Sequence, residues 1–176
     1  MGVGLAVVTE TKITDARYTR LASGYKILAS KAASDNQGGI ALLWKENNQG
    51  FEVESAKILT PNLLTFQLVT GDERFYCMGI YLPPADTMGV EDLRAAWEAC
   101  PEGCMPLVLG DLNVNFSEPR DERDEVIRDL IDDIDLVDAS RRYAPRRSRR
   151  QSTRARWTWR QKREGKLHYS QPDYIM

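Results

Sequence analysis

An apolar run that ends abruptly in a carboxylate and two carboxamides constrains this chain more than any other feature: Met105-Pro106-Leu107-Val108-Leu109-Gly110-Asp111-Leu112-Asn113-Val114-Asn115. The pattern predicts a buried strand that delivers polar chemistry to a crevice at its carboxyl end. On an extended backbone Asp111 and Asn113, two positions apart, point the same way. The acid can ligate a hard cation or align a water, and the amide can donate to a phosphate oxygen. The competing reading is a plain turn after the strand, because Gly, Asp and Asn are the usual turn residues.

Around that segment the chain reads as strands with a few helices. Short apolar runs over 3–9 and 40–44 suit covered strands, and 51–57, 63–70 and 75–82 alternate more openly. Thr70-Gly71-Asp72 is a hairpin turn between the last two, and Pro83-Pro84 ends a strand. Between Gly89 and Pro101, Leu93, Ala96, Trp97 and Cys100 form an amphipathic helical stripe, repeated by Ile127, Leu130, Ile131 and Ile134. With 176 residues, 42% of them hydrophobic and 28% charged, the profile is that of one domain over 1–176 with an adequate core. The sequence has no apolar run long enough to span a membrane and no secretory leader, so no membrane partner and an intracellular, nuclear location are expected. Cys77, Cys100 and Cys104 with the single His168 lack zinc-ligand spacing.

The formal charge of −2 conceals a strong asymmetry: residues 141–166 carry +11 and the remainder −13. This Arg-rich loop includes Arg146, Arg147, Arg149 and Arg150, with Trp157 and Trp159 interleaved. Guanidinium forks bind phosphates and indoles stack on bases, so the composition suits a nucleic-acid backbone. The alternatives are a solvated arm, or one folded back on residues 118–138, where ten acidic residues outnumber three basic ones.

Six motifs occur in one order: Val8-Thr9-Glu10-Thr11-Lys12, Gly38-Gly39-Ile40-Ala41-Leu42-Leu43-Trp44, Ile80-Tyr81-Leu82-Pro83-Pro84, Leu109-Gly110-Asp111-Leu112-Asn113, Trp157-Thr158-Trp159 and Ser170-Gln171-Pro172-Asp173-Tyr174-Ile175. Together they resemble the endonuclease/exonuclease/phosphatase superfamily, and the arginine run leading into Trp-Thr-Trp is most similar to the endonuclease domain of non-LTR (LINE-type) retrotransposons. The resemblance implies a DNase I-like α/β (α+β) fold, a four-layer sandwich of two mixed β-sheets flanked by helices. It implies Mg²⁺- or Mn²⁺-dependent phosphodiester hydrolysis of DNA, with Glu10 and Asp111 as metal carboxylates. Tyr81 matches the tyrosine near the scissile phosphate, Asp111 the acid that aligns the water or protonates the leaving oxygen, and Asn113 the amide on a phosphoryl oxygen. Asp173 matches the acid that orients the family's histidine, and Thr158 a phosphate-contacting hydroxyl. DNA is the implied partner, with a reverse transcriptase or a complementing chain as further candidates.

Two departures qualify that expectation. The family's pattern begins with a strand bearing an asparagine and ends with one bearing an Asp-His pair, and neither has a match here; His168 matches no family position. The expectation is therefore a truncated fragment, lacking the first and last strands and weakly active or inactive, or a non-catalytic nucleic-acid-binding remnant of the same fold. A phosphatase of small head groups on this fold is disfavoured, since a small substrate needs no extended basic surface.

Overall fold

The computed structural model describes residues 3–34, 37–47, 49–84, 87–114, 116, 119, 121–137, 139, 159–163, 166–170 and 173–175. Strands β1 (Leu5–Thr9), β2 (Arg17–Arg20), β3 (Tyr25–Ala29) and β4 (Ile40–Lys45) form an antiparallel sheet in the order β1-β4-β3-β2. A second sheet, in the order β11-β8-β7-β6-β5, contains β5 (Glu52–Thr60), β6 (Leu63–Thr70), β7 (Glu73–Tyr81), β8 (Met105–Asp111) and β11 (Asp173–Ile175). Among the described residues only β7 and β8 run parallel, and helix α1 (Met88–Glu98) makes the crossover that a parallel pair requires. Helix α2 (Glu122–Asp133) follows β8, and β9 (Trp159–Arg163) pairs with β10 (Lys166–Ser170) as a separate hairpin.

Alternation along the second sheet divides its side chains between two cores. Leu64, Phe66 and Cys77 meet Ile40, Leu42 and Trp44 of the other sheet, while Met78 and Ile80 meet Leu93, Ile127 and Leu130 of the helices. Burying each Leu or Ile in these layers contributes about 1.5–3 kcal/mol, which makes the alternating apolar runs decisive for the sandwich. Desolvation at the inter-sheet position pushes the Cys77 thiol up to about 12. Both helices bury the stripes their sequences display, through Val90, Leu93 and Ala96 in α1 and Ile127, Leu130 and Ile131 in α2. Asp121 caps α2, its carboxylate accepting the Asp124 N–H at 2.9 Å.

The expected two-sheet α+β sandwich is present; among the described residues both helices cover the five-stranded sheet, and parallel pairing is confined to that sheet. Strands β2 and β3 go beyond the sequence reading: β2 is a polar edge strand whose arginines disguise it. The basic segment is not loop throughout. Residues 159–163 pair with 166–170 around a two-residue connection, whereas 141–158 lie outside the described residues. No helix among the described residues is long and apolar enough to cross a membrane.

Candidate active site

Glu10 leaves the end of β1 on a sharp backbone turn, with φ 53° at both Glu10 and Lys12. The turn is held by Thr11 N–H on Gly39 O and Lys12 N–H on Gly38 O, each 3.2 Å. The Gly-Gly pair permits this closeness, since a Cβ on Gly39 would fall 2.5 Å from Thr11 Oγ1. Gly39 N–H in turn donates to Asn62 Oδ1 at 3.3 Å, and Asn62 O accepts the Tyr81 N–H at 2.8 Å. Loops from both sheets are thereby tied at one end of the sandwich.

Tyr81, at the end of β7 and 1% exposed, donates its hydroxyl proton to Glu10 Oε1 at 2.5 Å. This bond joins the two sheets. Burial first, then the bond to Glu10 and the negative charges of Glu10 and Asp111, hold the phenol well above the usual tyrosine value, and a hydrogen bond from Gln37 opposes them. The phenol therefore stays neutral and remains a donor at physiological pH.

Asp111 lies beside Tyr81 in the parallel register and opposite Asp173 in the antiparallel one, and Leu82 N–H donates to Asp111 O at 2.8 Å. The strand ends there. The expectation that Asp111 and Asn113 project alike from extended backbone is corrected: Asn113 has φ 48°, and its N–H donates to Asp111 Oδ1 at 2.9 Å, an Asx turn. The side chains are brought together by that turn, and the Asn113 carboxamide is anchored by Nδ2 on Leu82 O at 3.1 Å. Turn and site are the same feature.

The structure thus assembles Glu10, Tyr81, Asp111 and Asn113 and brings Asp173 alongside by register. Trp159 opens β9 opposite Ser170, and His168 sits in β10 opposite Gln161. Thr158, Arg146, Arg147, Arg149, Arg150 and Trp157 lie outside the described residues. Two carboxylates flanking one phenol are a hard-oxygen donor set of the kind Mg²⁺ uses when substrate phosphates and waters complete its shell. Among the described residues no group of three or more His, Cys, Asp or Glu side chains is placed to hold a metal ion, at this site or elsewhere.

Three contributors escaped the sequence reading: Gln37, Asn62 and Arg123. The last is 6% exposed and donates to Asn113 O at 3.1 Å, Leu82 O at 3.2 Å and Leu112 O at 3.0 Å. Its signal was a misfit: a cation in the first turn of a helix, where the dipole disfavours positive charge, among acidic neighbours that suit it.

No protein-family model matches the chain, and no curated protein matches it either. Among solved structures it is similar to the endonuclease domain of TRAS1, a telomere-specific non-LTR retrotransposon, at 15% identity and TM-score 0.67, covering 98% of this chain and 71% of that one. It is similar to TDP2 of D. rerio complexed with single strand DNA product, at 14% identity and TM-score 0.58, over 97% of this chain and 69% of that one. The AP endonuclease LMAP from Leishmania major matches at 14% identity and TM-score 0.59, over 97% and 68%. These neighbours are members of the endonuclease/exonuclease/phosphatase superfamily, and the chain has their DNase I-like fold.

Proposed function

We propose that this chain is a nuclease of the retrotransposon-endonuclease type, hydrolysing phosphodiester bonds of DNA with Mg²⁺ or Mn²⁺. The observation that carries the reading is the Tyr81–Glu10 bond, which brings an acid from one sheet against the strand ends of the other that bear Tyr81 and Asp111. The fold neighbours, among them two endonucleases and a protein holding a DNA product, support it. Glu10 and Asp111 would hold the cation, whose contribution is to polarise a phosphoryl oxygen and offset charge on the departing alkoxide. Tyr81, kept neutral, holds its single proton on Glu10 and adds no negative charge beside a phosphate. Asp111 orients the attacking water or gives a proton to the leaving oxygen, and the anchored Asn113 amide holds a phosphoryl oxygen as charge grows there. The arginine-rich segment supplies backbone affinity for DNA.

The 176 residues contain no match to the family's histidine, and a general base is typically worth about 10²–10⁴ in rate. Nicking of supercoiled plasmid by this polypeptide is therefore expected near background, and to rise when strands bearing the asparagine and the Asp-His pair are supplied. In that complemented protein Asp111→Ala should abolish nicking, and Glu10→Gln should remove the calorimetric heat of Mn²⁺ binding. Undiminished nicking by the Asp111→Ala variant would refute the assignment, as would identical heats for wild type and Glu10→Gln.

A further inference from the structure

We propose that Arg123 is the positioning residue of this site: its guanidinium sets the conformation of the Asp111–Asn113 turn and the orientation of the Asn113 amide. The inference rests on the nuclease reading for its catalytic consequence, but its geometry stands alone. Every carbonyl among its described contacts belongs to a residue just past a strand that carries the chemistry: Leu82 follows Tyr81, and Leu112 and Asn113 follow Asp111. One planar fork with five N–H donors spreads its bonds to three carbonyls over two nitrogens in a fixed geometry, whereas a lysine ammonium offers three donors on a single atom at the end of a flexible stem.

Leu82 O is the pivotal acceptor. It receives Arg123 Nη2 at 3.2 Å and Asn113 Nδ2 at 3.1 Å, so the guanidinium and the amide share one oxygen. Displacing the arginine changes the acceptor that orients the amide. A purely structural role accounts poorly for this placement, because a buried cation at a helix N-terminus opposes the dipole and loses hydration. Asp124, fully buried, offsets that charge with Oδ1 3.6 Å from Arg123 Nη1. The carboxylate cap of α2 and the clamp on the site are thus adjacent parts of one helix start, with Asp121 holding the Asp124 N–H.

Three measurements test the clamp. In the unaltered chain, the Arg123 guanidinium protons should exchange with water far more slowly than those of exposed arginines; exchange at the exposed rate overturns the proposal. In folded Arg123→Lys, the Asn113 side-chain amide resonances, identified by their loss in Asn113→Ala, should shift and broaden while the core signals remain. Unchanged Asn113 resonances overturn it. In a complemented, active protein, Arg123→Lys should lower kcat on the order of 10²-fold with KM for DNA kept within about twofold, the signature of a misplaced group. A parallel loss in KM, or none in kcat, overturns the positioning role. If the complemented protein never nicks DNA, the nuclease reading fails, while exchange and resonances still decide the clamp. Should Arg123→Lys fail to fold, exchange in the unaltered chain decides it.

Discussion

At the residue scale the chain places its reactive groups through backbone contacts more than through side-chain pairs. Tyr81 is the exception, and its bond to Glu10 has a consequence for pH. Its folded-state pKa lies above the ordinary value of 10, so the phenol's contribution to stability is fully present below pH 10 and is lost as pH rises through the folded value. Chemical denaturation of wild type and Tyr81→Phe across the alkaline range should show a stability difference that shrinks above pH 10. A difference constant with pH would mean that the phenol proton is not coupled to folding. The same residue explains why the sequence could reveal part of the site. Glu10, Tyr81, Asp111 and Asn113 stand in recognisable motifs because the proposed chemistry rests on their side chains. Arg123 and Asn62 act on backbone carbonyls and amides, which fit no motif, and the one trace of Arg123 is a cation in an acidic first turn.

At the element scale, apolar periodicity made β1 and β4–β8 and both helices legible, because those elements are buried on at least one face. Of the first-sheet strands it missed, β2 is polar, whereas β3 is a short, largely apolar strand. Arg17-Tyr18-Thr19-Arg20 has three exposed residues of four and pairs only with β3 among the described residues, so no burial requirement shapes its composition. The turn at Asp111 was legible as a turn and as a site, and the two readings compete only while the backbone is assumed extended. Its geometry depends on Gly110, whose φ of 142° brings the position of a Cβ within 1.9 Å of Ile80 O. Gly110→Ala should cost about 1–3 kcal/mol from the backbone conformation alone, with the clash adding to it. A lowered denaturant midpoint should be accompanied by weaker amide protection across β7 and β8. A midpoint within error of wild type would show that β8 tolerates a different path into Asp111.

For the whole molecule, the charge asymmetry predicts how affinity responds to salt. If the +11 segment over 141–166 lies along a DNA backbone, log affinity should fall against log salt by about 0.9 per phosphate contacted. Replacing Arg146, Arg147, Arg149 and Arg150 together with Ala should flatten that slope by about 3 to 4 and weaken all sequences alike, whereas Asn113→Ala should leave it nearly unchanged. An unaltered slope in the four-arginine variant would assign that segment to solvent or to the acidic stretch before it.

The hydroxyl of Tyr81 also makes the site a gauge of how the two sheets sit on one another. Because Glu10 belongs to one layer and Asp111 to the other, a phosphate or cation held by both bridges a joint, and its binding energy goes into docking the layers. Such a ligand would raise the resistance of the whole sandwich to shear while leaving each sheet's own hydrogen bonds untouched. Conversely, a substitution deep between the layers, far from any phosphate, would register first as lost ligand affinity and only later as unfolding.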